Sequence, residues 1–209
     1  MNGLKRISAA ALLIAVAMGA QAQNVAVGNL WHVPELISQN AIPGNVPGTT
    51  PDVVFSVNSP FNFSGTSVSV GTWLASSSAF NITENTAGTL ASLMDNGTQG
   101  TLLSFTGNVT VTNGQTFTVT HDDGLTLIIG GLNLGFNPGP TSPTTSLITY
   151  TGPSGNFPFQ LVYGECCGGP AVLQVALPFT APVPEPESYA LMLAGLGALG
   201  YVSRRRRRA

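Results

Sequence analysis

Short apolar clusters separated by glycine, proline and asparagine constrain the fold of this chain more than any other feature. Each cluster has the length of a β-strand, and only Thr89–Met94 offers room for a helical turn. Nine short strands cannot bury two hydrophobic faces in one open sheet, so the pattern predicts an all-β fold, an antiparallel two-sheet β-sandwich. The predicted strands are Val53–Val57, Ser67–Leu74, Leu102–Phe105, Val109–Val111, Phe117–Val119, Leu125–Ile129, Leu147–Tyr150, Phe157–Tyr163 and Val172–Leu177.

Basic residues are confined to the two ends of the chain. All seven lysines and arginines are Lys5, Arg6 and Arg204 to Arg208, whereas seven of the nine acidic residues lie between Glu35 and Glu165. The body therefore carries a charge of about −7 with neutral histidines. This charge repels phosphate, which excludes nucleic acid as a partner, and no basic side chain is present to pair with acidic sugars. The charge still allows the recognition of neutral hydroxyl groups, and of ligands that are bridged to the protein by a divalent cation.

The N-terminal residues have the pattern of a secretory signal. Lys5 and Arg6 precede an apolar stretch that runs from Ala9 to Ala20, and Ala20 and Ala22 provide the small residues of a cleavage site. We predict a signal helix at residues 1–22 and a mature chain that begins near Gln23.

The C-terminal residues divide into three parts after a predicted sandwich domain at 23–177. A Pro-rich linker at 178–187 precedes an apolar segment at 188–203 and a basic tail at 204–209. The apolar segment is shorter than the ~20 residues that usually span a bilayer, and it predicts a short, provisional transmembrane helix. The arginines form a membrane stop signal that stays on the cytoplasmic side, which places the body outside. These arginines are Arg204, Arg205, Arg206, Arg207 and Arg208.

The linker contains the triplet Pro184, Glu185 and Pro186, and together with the apolar segment and the arginines it resembles the PEP-CTERM family of exported bacterial proteins. Glu187 departs from the small residue that is more usual there. The resemblance covers only the final segment and implies sorting: a Gram-negative envelope, an inner-membrane exosortase that processes the chain near the triplet, and release to the cell surface or extracellular matrix. It also implies an association with exopolysaccharide or biofilm.

Residues 107–131 contain the most informative internal motif. A strand at Thr116–Thr120, a turn at His121–Gly124 and a strand at Leu125–Ile129 predict a hairpin whose tip carries Asp122 and Asp123. Farther along, residues 155–177 give an aromatic strand, a Gly-rich turn and an aliphatic strand.

Together these stretches resemble the sugar-binding sandwich that was first named for anthrax protective antigen and is shared by yeast flocculins. In its sugar-binding members two neighbouring aspartates are joined by a cis peptide and both ligate calcium, which in turn ligates sugar hydroxyls. The resemblance implies that Asp122 and Asp123 hold Ca²⁺. The alternative is a plain Asp-Asp-Gly turn, since Asp caps its own backbone and Gly accepts positive φ. Further candidate ligands are Asn133, Asn137 and Glu165.

Cys166 and Cys167 are the only cysteines, and they are adjacent. In an oxidising envelope they can form a vicinal disulfide or pair with other chains, and we favour a structural role over a two-thiol metal site. Trp31 and Trp73 are predicted to be core residues rather than platforms for sugar rings.

No pattern of catalysis is present in the sequence: no serine stands in a nucleophile elbow, and His121 is interpreted as a turn residue. We predict a non-enzymatic exported protein of the surface or matrix that binds exopolysaccharide or another neutral glycan through calcium. One alternative is a purely structural matrix protein without a ligand. A further alternative is ice or surface binding by the threonine rows at residues 110–112 and 116–120.

Overall fold

The computed structural model describes residues 25–180 and 195–196. The predicted signal helix with Ala20 and Ala22, the triplet Pro184–Pro186, and Arg204 to Arg208 lie outside the described residues, as does most of the predicted transmembrane segment. In the part that is described, no helix is both long and apolar enough to cross a bilayer.

Twelve strands and two short α-helices make up the described body. The strands are β1 (Val25–Pro34), β2 (Val53–Asn58), β3 (Phe61–Thr66), β4 (Phe80–Glu84), β5 (Gln99–Val111), β6 (Thr116–Asp122), β7 (Leu125–Ile129), β8 (Leu132–Asn133), β9 (Thr144–Thr149), β10 (Gly155–Glu165), β11 (Pro170–Val175) and β12 (Phe179–Thr180). The helices are α1 (Glu35–Ser38) and α2 (Val70–Ser76), with single 3-10 turns at Pro43–Asn45 and Thr89–Ala91.

The strands form two antiparallel sheets, which confirms the predicted fold class. The larger sheet has the order β4-β2-β1-β5-β10-β7-β8, with β12 added beside β5, and the smaller sheet has the order β3-β11-β6-β9. Alternate residues of each strand face the space between the sheets, and these positions are apolar: in β2, Val53, Phe55 and Val57 are fully buried.

Aromatic rings fill the centre of the sandwich. Phe63 stacks on Trp73 with ring centroids 4.2 Å apart, and Trp73 stacks in turn on Tyr163 at 5.9 Å. Phe55 meets Phe105 edge to face at 5.6 Å. Trp73 is fully buried, which confirms its predicted place in the core.

The outer face of the larger sheet is also covered, at its centre, by the segment that follows β1. Trp31, Val33, Leu102 and Val162 form a second buried cluster there with Ala41. Because both of its faces are covered, the middle of β5 is buried without alternation from residue 100 to residue 105.

The predicted strand at Ser67–Leu74 is wrong, because residues 70–76 form helix α2. Ser69 caps this helix by accepting a hydrogen bond from the N–H of Thr72 at 3.2 Å. The buried residues are Val70, Trp73 and Leu74, which share one face of a helix at the i, i+3, i+4 spacing. The same apolar residues are compatible with strand and helix periods in so short a window, and the cap decides between them.

The predicted hairpin at His121–Gly124 is also wrong. Strand β6 pairs with β9 and β11 in the smaller sheet, whereas β7 pairs with β8 and β10 in the larger one. The short connection therefore crosses from one sheet to the other. Strand β7 has two buried faces, a pattern that suits a place inside the larger sheet better than an edge beside β6.

Three strands of five or more residues escaped prediction, as did the two-residue strands β8 and β12, and one boundary moves. Polar residues interrupt β1 and β3, and β4 is mostly exposed, so none of the three forms a compact apolar run. Strand β12 pairs with β5 through Phe179 and Val109, so the folded body continues past the boundary predicted after Leu177.

Replacing Trp73 with alanine tests its place in the core. Because Trp73 is fully buried between Phe63 and Tyr163, we expect Trp73→Ala to lower the free energy of unfolding by about 3–5 kcal/mol in urea titrations. The control is Leu147→Ala, whose side chain is 69% exposed and whose loss should cost less than about 0.5 kcal/mol. Unchanged stability in Trp73→Ala would contradict the packing described here.

Candidate functional site

The two aspartates lie at one corner of the sandwich, where the chain passes between the sheets. Asp122 ends β6, and the peptide bond between Asp122 and Asp123 is cis. Their side chains are 4% and 5% exposed. Gly124 follows at a close approach of two loops, because a Cβ atom at this position would collide with the carbonyl oxygen of Pro138.

Asp123 is held by backbone donors from two other loops. Its Oδ1 accepts a hydrogen bond from the N–H of Thr141 at 3.1 Å, and its Oδ2 accepts one from the N–H of Cys166 at 2.9 Å. Its carbonyl oxygen is paired with Nδ1 of His121 at 2.6 Å. One N–H on each oxygen leaves a carboxylate with lone pairs still available for a cation.

Tyr163 and Glu165 support the pair from β10. The hydroxyl of Tyr163 lies within hydrogen-bonding distance of both the carbonyl oxygen of Asp122 and Oε2 of Glu165, the latter at 2.7 Å. A tyrosine has one proton to donate. Its hydroxyl can therefore donate to only one of these two oxygens at a time.

The turn between β10 and β11 brings three consecutive backbone donors to three acids. The N–H groups of Cys166, Cys167 and Gly168 donate to Asp123, Glu35 and Asp95 at 2.9, 3.0 and 2.8 Å respectively. A disulfide bond joins Cys166 and Cys167, of which the first is buried and the second exposed. This turn, residues 165–169, is called the cysteine turn below.

Burial and mutual repulsion raise the pKa values of the clustered acids. Burial raises the pKa of Asp122 to about 7, and the charge of Asp123 adds to the shift. Burial raises the pKa of Asp123 as well, against its backbone donors at Cys166 and Thr141, which lower it. Burial raises the pKa of Glu165 to about 9, opposed by the hydrogen bond with Tyr163. Burial also raises the pKa of the Tyr163 hydroxyl.

A small cavity of about 30 Å³ adjoins this cluster. Glu165 and Asp95 line it, together with Met94 and the backbone of Gly168 and Gly169. The cavity has room for about one water molecule or one small ion beside the carboxyl groups.

The acids at this corner offer oxygen donors, the ligand type that hard divalent cations prefer. Asp122, Asp123, Glu165 and Asp95 offer carboxylate oxygens, and Asp95 raises the pKa of both Asp123 and Glu165 through its charge. The described body contains no lysine or arginine that could neutralise them. Calcium binds several carboxylate and carbonyl oxygens in flexible geometry, and it would remove this repulsion. The cysteine sulfurs near Asp123 are joined to each other, so they are not thiolate ligands.

The structure brings together some of the residues predicted from the sequence. Asp122, Asp123, Glu165 and the two cysteines meet at the corner. Asn133 and Asn137 are exposed, and each amide oxygen accepts an N–H two residues farther along the chain, from Gly135 and Gly139. These local turns explain both asparagines without a metal.

His121 is not a turn residue, because it is the penultimate residue of β6 and is 2% exposed. Its ring meets Phe136 edge to face at 5.9 Å. The sequence patterns did not identify Tyr163, Glu35, Asp95 or Thr141. Tyr163 and Glu165 alternate on one strand, a spacing that places them on one face, but nothing local indicates that Glu35 or Asp95 reaches the same corner.

Two solved structures share this fold. The PA14 domain of the antifreeze protein MpAFP aligns with a TM-score of 0.50 and 20% identity, over 78% of this chain and 85% of that one. The PA14 sugar-binding domain from an RTX adhesin aligns with a TM-score of 0.50 and 16% identity, over 76% of this chain and 96% of that one. At these identities the likeness concerns the fold, and it confirms the predicted resemblance of the body. No curated protein sequence matches the chain significantly.

The C-terminal residues 182–208 match the PEP-CTERM protein-sorting motif. The match confirms the resemblance predicted from the triplet, the apolar segment and the arginines. The motif implies export that depends on an exosortase, with processing at the membrane.

The raised pKa values predict how stability depends on pH without metal. The folded protein keeps protons on Asp122 up to about pH 7 and on Glu165 up to about pH 9, whereas the unfolded chain releases them near the ordinary values of 3.8 and 4.5. The folded state binds more protons in that window, so stability should fall as the pH rises through it. We expect the melting temperature in a chelator to decrease from pH 5 to pH 9.

The variant Asp122→Asn should flatten the lower part of this dependence, up to about pH 7. Glu84→Gln is the matched control, because Glu84 is exposed and far along the chain from the cluster. A melting temperature that rose between pH 5 and pH 8 in the native protein would contradict the assignment.

Proposed function

We propose that this chain is an exported, non-enzymatic protein of the cell surface or extracellular matrix whose sandwich binds neutral carbohydrate through calcium held by Asp122 and Asp123. The observation that carries the proposal is a set of buried carboxyl groups gathered at one corner with no basic residue in the folded body. Burial raises their pKa values, and the charges of neighbouring carboxylates add to the shift. No basic side chain in the body offsets it. The PA14 fold of the body and the PEP-CTERM motif of the tail support it.

In this proposal, the residues at the corner have separate roles. Asp122 and Asp123 would supply the charged oxygens that hold calcium. Thr141 and Cys166 fix the Asp123 carboxylate through their N–H groups, and Tyr163 fixes the Asp122 carbonyl. Calcium bound there supplies open coordination positions that accept the hydroxyl oxygens of a sugar.

The charge of the body favours a neutral glycan. The body has a formal charge of about −7 and stays acidic even with protons on Asp122 and Glu165, so it repels acidic polymers. No arginine or lysine between Ile7 and Ser203 can form ion pairs with them. A neutral exopolysaccharide, which is recognised through hydroxyls, suits both the charge and the exported location.

The geometry of the serine and histidine side chains supports a role other than catalysis. Oγ of Ser92 lies 2.6 Å from Nε2 of His32. The same hydroxyl donates its proton to the carbonyl oxygen of Thr89 at 2.6 Å. A serine whose proton is given to a backbone carbonyl accepts from the histidine and is not activated by it. His121 is paired with a backbone carbonyl in the same manner.

Calorimetry with calcium tests the proposed site. The full chain, purified in detergent from the envelope of an exporting host, should bind about one Ca²⁺, and Asp123→Asn should weaken binding at least about 100-fold because a first ligand loses its charge. Glu84→Gln, which changes an exposed carboxylate elsewhere, should bind calcium like the native chain.

The same samples on an array of neutral and acidic glycans test the ligand. Binding to neutral glycans should require calcium, disappear with a chelator and be lost in Asp122→Asn and Asp123→Asn. Calcium-independent retention in both variants would reject the calcium-mediated mechanism. The absence of both calcium and glycan binding would favour a purely structural matrix protein.

Processing of the tail tests the sorting proposal. In a host that contains an exosortase, replacing Pro184, Glu185 and Pro186 with alanine should leave the exported chain uncleaved and in the inner membrane, because the processing enzyme no longer recognises the motif. Membrane fractionation and intact mass report the outcome. Glu187→Ala is the matched control and should be processed normally; equal cleavage of the triple variant and the native chain would reject the assigned motif.

A further inference from the structure

The cysteine turn holds acids from three separate parts of the chain. Asp123 follows β6, Glu35 begins α1 and Asp95 precedes β5, yet each accepts a hydrogen bond from one of three successive N–H groups in the turn. Asp95 also accepts the N–H of Gly97 at 2.9 Å, which fixes both of its oxygens. The turn is thus a single piece of backbone on which the relative positions of these carboxylates depend.

The backbone of the turn explains how three successive donors can serve carboxylates. In extended chain, successive N–H groups point in opposite directions, whereas residues with positive φ turn them into a concave row that binds anionic oxygens. Cys167, Gly168 and Gly169 have φ values of 67°, 73° and 109°. Glycine adopts such values readily, but cysteine does not, so position 167 needs a restraint. The covalent bond to Cys166 is a restraint at that position.

We propose that the Cys166–Cys167 disulfide makes calcium binding at the Asp122–Asp123 site depend on oxidation. With the bond closed, the turn keeps its N–H groups on Asp123, Glu35 and Asp95 and holds these carboxylates in place. With the bond open, Cys167 relaxes from its left-handed conformation, the row of donors is lost, and the affinity for calcium falls. The inference rests on the calcium site of the proposed function. Both cysteines act as positioning residues, through the backbone rather than as ligands.

The redox step is simple and reversible. A dithiol reductant reaches the exposed Cys167, gives two electrons and two protons to the pair, and closes to its own cyclic disulfide as the S–S bond breaks into two thiols. Oxidised glutathione accepts the electrons and protons in the reverse reaction. Since the chain has no other cysteine, the treatment changes only this bond.

Calcium calorimetry on oxidised, reduced and reoxidised protein tests the proposal, with the full chain in detergent. We expect the Kd to rise about 10- to 100-fold on reduction, as it does when a residue that orients a metal ligand is lost, and to return on reoxidation. Equal Kd values for the oxidised and reduced forms would overturn the inference while leaving the calcium site intact. No binding even by the oxidised form would reject the calcium site itself, and this inference with it.

A paired set of variants separates positioning from general stability. The double variant Cys166→Ser, Cys167→Ser should match the reduced protein in Kd and should not respond to reductant. Val109→Ala removes buried methyl groups from β5 where it pairs with β12, away from the corner, and it should lower the melting temperature in chelator without changing the Kd. If Val109→Ala weakened calcium binding by the same factor, the effect of reduction would be loosening of the fold, and the inference would be rejected.

Discussion

The main physical constraint in this molecule is the burial of acidic side chains without a basic partner. A charged group is costly to bury unless it is paired or hydrogen-bonded, and the described body offers no lysine or arginine for pairing. The fold compensates with backbone donors, which reach Asp123 from two directions and Asp95 and Glu35 from the cysteine turn. Protons on Asp122 and Glu165 supply the rest at neutral pH. In the proposed function, calcium takes the place of these protons.

The same corner also joins the two sheets. Here the connection from β6 to β7 leads from the smaller sheet to the larger one, and the connection from β10 to β11 leads back to the smaller sheet. The N–H of Gly164 donates to the carbonyl of Gly124 at 3.0 Å, and Tyr163 reaches from the large sheet to the Asp122 carbonyl at the end of the small one. The residues that close the sandwich are therefore the ones that form the candidate site, so a change there affects packing and binding together.

The sequence predicted the strands of the sandwich because alternating apolar residues have a local signature, and Leu125–Ile129 matches β7 at both ends. It failed at α2, where a serine cap outweighed an ambiguous apolar pattern. It also failed at His121–Gly124, where pairing partners far along the chain decide whether two strands form a hairpin or separate. Asp122 and Asp123 were identifiable from a short motif. Asp95 and Glu35 were not, because only the topology brings residues so distant in sequence to one corner.

Export and the proposed binding site are physically linked. A disulfide forms in an oxidising compartment, and the proposed calcium site would fill where calcium is abundant. Both conditions hold outside the cytosol. The PEP-CTERM motif at 182–208 directs the chain to that side. In the proposed function, sorting therefore precedes binding: export through the motif in the tail brings the body to the compartment where the disulfide can form and calcium can bind.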